Sequence, residues 1–124
     1  MRKHLYAILA FSIALTIRLY PTFLSGLPFS TDAWSPIRNT ELLLEHTPIN
    51  LDSKMLDGYN CYWPANSLFG AVLSLVTGLK PMMAMAIGVP LAGALTILIF
   101  YALISRISRS PELAFLSSIL TATA

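Results

Sequence analysis

The stretch "LYAILAFSIALTIRLYPTFL", residues 5–24, decides the fold class. A helix of about 20 apolar residues covers the roughly 30 Å hydrocarbon core of a bilayer, and Arg18 is the only charge in this run. Arg2 and Lys3 precede it, so the layout is also that of a secretory signal peptide, with a basic head and an apolar centre. Leu24, Ser25 and Gly26 make a poor small-residue cleavage site, however, and Arg18 breaks the run where such a site would approach. The expectation is a retained first span over 5–24, with Arg2 and Lys3 holding the N-terminus in the cytoplasm by the positive-inside rule.

Composition extends that reading to the whole chain. Hydrophobic residues make up 56% of the 124 and charged residues 11%, against about 25% charged in soluble proteins. That length holds three or four spans and one loop, but no large soluble domain. The net charge of +2 comes from 8 basic against 6 acidic residues. The basic residues stand singly at segment ends, not in a patch, so nucleic-acid binding has no support. Cys61 is the lone cysteine and forms no internal bridge.

After the first span, Pro21 and Pro28 bracket the exit from the membrane. A polar island follows, "PFSTDAWSPIRNTELLLEHTPI", residues 28–49. Pro36 suits the first position of a helix with Ser35 as its N-cap, and Thr47 before Pro48 marks the other end, about three turns on. At the helical period Ile37, Thr40, Leu43 and Leu44 share one arc, while Arg38, Asn39, Glu41, Glu45 and His46 share the other and Leu42 is a misfit. A short two-faced helix of this kind lies on the bilayer surface, and Trp34 suits the interfacial belt. Residues 50–63 read as a polar loop with a turn at Asp57-Gly58, and Tyr59, Tyr62 and Trp63 prepare re-entry.

Pro64 opens a second span over 64–79, short enough to tilt and ended by Gly78. A third, over 82–105, follows Lys80-Pro81 and is kinked at Pro90. A fourth apolar run over 112–124 has no flank or cap and reads as cut off. The fold class expected is therefore all-α: polytopic transmembrane helices with one external loop, about 25–63, carrying a short interfacial helix. One feature opposes this orientation, since alternating spans put Arg106 and Arg109 outside.

Asp32 is the candidate site residue. With Ser35 as cap, a carboxylate three residues earlier in an extended approach has no structural task and can face a ligand, although a solvated loop aspartate or an alternative cap through Thr31 or Asp32 fits the same residues. Arg18 sits near the outer end of its span, where its stem snorkels or its guanidinium binds an anionic group. Arg38, Glu41 and Glu45 are explained by exposed ion pairing at helical spacing. His46 has no metal-ligand spacing with a second His or Cys, and no Gly-rich phosphate loop, Ser/His/Asp arrangement or CxxC pair is present.

The order of parts is more specific than any of them. A cytoplasmic head, a span ending in "IRLYP", an external "STDAW", a surface helix and re-entry through "YNCYWP" resembles the N-terminal region of GT-C-type integral-membrane glycosyltransferases, including the oligosaccharyltransferase catalytic subunit and protein-mannosyltransferase-like families. The resemblance implies a cell-membrane enzyme using a polyprenyl-phosphate-linked sugar donor. It makes Asp32 the catalytic or metal-coordinating carboxylate, with a divalent cation such as Mg²⁺ or Mn²⁺; Arg18 or Arg38 can then pair with phosphate oxygens through its planar fork, and Trp34 stands beside them as a candidate substrate-binding residue. It also implies further spans as partners. Asp32 has no adjacent acidic residue, a departure from the mannosyltransferase pattern. The chemistry suits such a place, because transfer from a lipid phosphate needs a carboxylate at the membrane surface to accept a proton or hold a cation. Without partner carboxylates and walls the 124 residues alone are expected to be inert. The rival reading is a small multi-span protein without chemistry, an assembly partner or transporter segment, whose island anchors at the interface.

The topology is checked at Cys61. A membrane-impermeant maleimide added to intact cells is expected to label it, with a permeant reagent controlling for burial of the thiol; protection until lysis inverts the orientation.

Overall fold

The computed structural model describes residues 2–28, 31–46, 56 and 64–123. Their elements are α1 (Arg2–Ser25), a 3-10 turn (Thr31–Ala33), α2 (Trp34–Glu45), α3 (Ala65–Thr77), α4 (Pro81–Ser108) and α5 (Pro111–Thr123). No strand occurs among the described residues, so the chain is all-α. The expected helix end at Thr47, the Asp57-Gly58 turn and the aromatic group Tyr59, Tyr62 and Trp63 lie outside the described residues.

Local chemistry accounts for the helix ends. Pro21 does not stop α1, which runs through it to Ser25 and ends at Gly26 with φ 67°; proline costs the helix one hydrogen bond, whereas a left-handed residue turns the chain away. Gly78 ends α3 as expected, with φ 72° and its N–H donating to the Ser74 carbonyl at 2.8 Å. The junction of α4 and α5 was less legible. Arg109 takes φ 57°, and the Ser110 hydroxyl accepts the Leu113 N–H at 3.3 Å while donating to the Glu112 carboxylate at 3.1 Å. Ser110 is thus an N-cap, followed by Pro111 at the helix start where its missing N–H costs nothing.

At 1.5 Å per residue α1 is about 36 Å long and α4 about 42 Å, enough to cross a bilayer. Both are apolar enough to do so, and only 17% and 22% of their most apolar windows is buried, unlike the core helix of a soluble protein. The apolar helices α3 and α5 have 13 residues each, about 20 Å.

Contacts divide the chain into two compact units, Met1–Leu24 with Val89–Ala124, and Ser25–Gly88. In the first, Ala10 and Ala14 of α1, Ala94 and Ile97 of α4 and Ala122 of α5 form the core, with Phe11, Leu15, Phe115 and Ile119 packed round it. The Tyr101 hydroxyl donates to the Lys3 carbonyl at 2.9 Å, and the Tyr6 and Phe115 rings lie 5.4 Å apart. These contacts make α1 part of a folded unit. Other large side chains point the other way: Ile99 is 71% exposed and Leu120 72%, while Ala10, Ala14, Ala94 and Ala114 are wholly buried and Ile97 nearly so. Small residues inward and large apolar ones outward is the arrangement of helices in lipid, where close backbone approach drives packing and Leu or Ile gains nothing by hiding from an apolar solvent.

The second unit repeats the pattern. The buried residues of α3 are Ser67, Gly70, Ala71 and Ser74, while Leu75 and Val76 on its other side are 74% and 80% exposed. The α2 helix packs on that small-residue stripe through Ile37, Asn39, Thr40 and Leu43. Leu43, Leu56 and Ala71 form the apolar cluster, with Leu44 against it. Asn39 corrects the helical-wheel reading, which put it on the wet face: it is fully buried, since α3 meets α2 over a wider arc than the apolar residues alone define.

Gly70 is a tight point of this packing, because an added Cβ would lie 2.7 Å from both the Met85 sulfur and the Thr40 hydroxyl and something would have to shift. Gly70→Ala is expected to destabilise the unit by about 1–3 kcal/mol, read as loss of resistance to SDS unfolding in mixed micelles.

Candidate functional site

Asp32 lies in the 3-10 turn Thr31–Ala33, which leads directly into α2. The expected arrangement was different: an extended approach, then a helix capped by Ser35. Instead α2 begins at Trp34, its N-cap position is Ala33 in helical geometry (φ −72°, ψ −21°), and no side chain caps it. A 3-10 turn ahead of a helix supplies tighter backbone bonds where a capping hydroxyl would otherwise serve. The physical consequence concerns Asp32. Its backbone is tied to a helix end, not to a loose strand, and its side chain is exposed.

That helix is seated on α3 through Thr40. The Thr40 hydroxyl is buried 2.8 Å from the Pro36 carbonyl, 3.1 Å from the Ser67 carbonyl and 3.2 Å from the Met85 sulfur. Its single proton serves one carbonyl at a time, so it links α2 either to its own preceding turn or to α3. Sequence reasoning placed Thr40 correctly on the inner arc but gave it no role. The neighbouring "SLFGA" of α3 carried the signal, since Gly70 is what admits a hydroxyl and a methionine to the same space.

Trp34 is 47% exposed at the start of α2. Arg38 follows it by one turn on the same side, its guanidinium 3.5 Å from the Glu41 carboxylate with the two side chains 64% and 38% exposed. This is the ion pair expected from the spacing. At the far end His46 caps α2, its N–H donating to the Leu42 carbonyl at 3.1 Å with Nδ1 3.3 Å from the same oxygen. Asp32, Trp34 and Arg38 are thus gathered along the turn and the first half of α2. Arg18 belongs to the other unit, on α1, with its guanidinium over Gly93 of α4.

Among the described residues no three His, Cys, Asp or Glu side chains come together in a way that would hold a metal. Mg²⁺ is commonly held by one or two carboxylates with phosphate oxygens and waters completing its shell, so Asp32 fits the part of one ligand and no more. What the arrangement offers is an exposed carboxylate, an aromatic face and a cation along one turn and the first half of α2. Compared with known proteins, the chain matches no family model, no curated protein and no solved structure.

Two substitutions separate the buried support from the surface pair. Thr40→Val is expected to cost about 1–2 kcal/mol by removing the buried hydroxyl, whereas Arg38→Ala costs less than about 0.5 kcal/mol because exposed pairs contribute little. Unfolding of both variants in the same detergent tests the difference.

Proposed function

We propose that this chain is a polytopic integral protein of the cell membrane, N-terminus inside, whose first external loop supplies an active-site carboxylate to glycosyl transfer from a polyprenyl-phosphate-linked donor. The membrane part rests on helices that expose Leu and Ile and bury Ala. The transferase part rests on the GT-C-like order of "IRLYP", "STDAW" and "YNCYWP". The observation that carries the site is Asp32 itself, exposed on a helical turn continuous with a helix that is locked from beneath.

In this reading Asp32 accepts the proton of the acceptor hydroxyl as the acceptor oxygen bonds to the anomeric carbon. The bond from that carbon to the phosphate oxygen breaks, and the electron pair leaves with the phosphate. Trp34 offers an apolar face to the sugar or the lipid tail, and Arg38 balances charge near the phosphate by exchanging Glu41 for it. A divalent cation, when bound, would neutralise phosphate charge.

A second reading keeps the membrane and removes the chemistry. It is favoured by the Arg38–Glu41 pair, which already uses the nearby cation as any solvated helix face would. The chain is then an assembly partner whose outward Leu and Ile meet lipid or other helices.

Asp32→Asn, introduced at the native locus, decides between them. The transferase reading expects membranes that lose transfer of labelled sugar from a polyprenyl donor by roughly a hundredfold or more, with the amount of inserted protein unchanged and Glu45→Gln as an active control. Undiminished transfer leaves the second reading.

A further inference from the structure

Arg18 and Thr22 stand one turn apart on the same face of α1, in the unit made by α1, the later part of α4 and α5. Both carry a buried polar atom with no hydrogen-bond partner: Nε of Arg18 and Oγ1 of Thr22. Thr22 is 6% exposed. Ser67 of α3 shares that state, whereas other helix hydroxyls are satisfied by their own backbone. Thr16, Thr77, Thr96, Ser118 and Thr121 each donate to a carbonyl three or four residues back, the usual way a hydroxyl is satisfied in an apolar medium. Thr22 does not make that bond.

The room beside them is equally specific. A Cβ at Gly93 would lie 3.1 Å from Nη1 of Arg18 and 3.5 Å from Cζ, so the guanidinium lies against α4 where Gly93 leaves room for it. Snorkelling explains a long stem with its head in water, but it does not explain a head laid against a neighbouring backbone with Nε buried. An N–H kept from water and unpaired costs free energy, and more so on a charged group. Arg18 lies seven residues before the end of α1, about 10 Å along the axis.

We propose that Arg18 and Thr22, over Gly93, form a binding site for a phosphate-type oxyanion. The guanidinium edge bearing Nε gives two parallel N–H donors, the fork that matches two oxygens of one phosphate, and the Thr22 hydroxyl reaches a third. The phosphate belongs either to a lipid headgroup or to a soluble molecule, the chemistry being the same. The proposal rests on the membrane reading but not on the transferase assignment, and a binding measurement tests it without any turnover.

The full chain in dodecyl maltoside, a detergent without phosphate, is titrated with short-chain phosphatidic acid, with inorganic phosphate, and with short-chain diacylglycerol as the control. Native mass spectrometry counts bound lipid, and phosphorus NMR follows both phosphates. Phosphatidic acid is expected to bind above the diacylglycerol control, and Arg18→Gln to weaken it by roughly tenfold or more. Thr22→Val, which keeps shape, and Gly93→Ala, which crowds Nη1, each weaken it by a smaller factor. Should Arg18→Gln fail to fold, those two variants decide the matter, with helical circular dichroism as the check. Inorganic phosphate that competes and shows the same dependence assigns a soluble source; phosphatidic acid alone assigns a lipid headgroup. Binding no better than diacylglycerol, or equal in all variants, overturns the site and leaves the Asp32 assay unaffected.

Discussion

Close approach of helix backbones through small residues is the constraint on which the structure depends. In the unit containing α1, the later part of α4 and α5, the centre is built from Ala10, Ala14, Ala94, Ile97 and Ala122. In the other unit α2 lies on a stripe of Ser67, Gly70, Ala71 and Ser74. Both centres are rich in small residues, and alanine contributes little apolar area to burial from water. Both make sense where lipid surrounds the helices, because the contest there is between lipid contacts and tighter helix contacts.

The same constraint governs the polar groups. Most helix hydroxyls are spent on their own backbone, as in Thr16 to the Ser12 carbonyl at 2.8 Å and Ser118 to the Ala114 carbonyl at 2.8 Å. Against that background, two places carry more information. Thr40 sits between Pro36, Ser67 and Met85 and ties the polar island to α3, and Arg18 lies on Gly93. In each a glycine on one helix makes room for a polar group from another. Glycine serves here by lacking a Cβ, not by turning the chain.

The Asp32 turn draws its character from that foundation. An aspartate on an extended segment samples many orientations, whereas one on a 3-10 turn running into α2 is set by the seating of α2 on α3. The link from packing to chemistry is therefore indirect: Gly70 and Thr40 fix the helix, the helix fixes the turn, and the turn presents the carboxylate. Trp34 and Arg38 share that frame, being one turn apart on α2.

Length and apolar content by themselves determined that the chain is all-helical, that 5–24 and 82–105 are long enough to span, and that Gly78 ends a helix, because these follow from local rules of hydropathy and backbone geometry. The candidate residues were legible as types for the same reason: a carboxylate, an indole and two guanidiniums are visible in any string. Their surroundings were not. Asn39 turned inward, Ser35 gave up the cap to a 3-10 turn, and Ser110 took a cap that periodicity did not mark. Only tertiary structure decided that the Thr40 hydroxyl meets α3 and that Arg18 lies against Gly93, since each depends on which small residue of a distant helix comes opposite, and sequence spacing carries no register between helices.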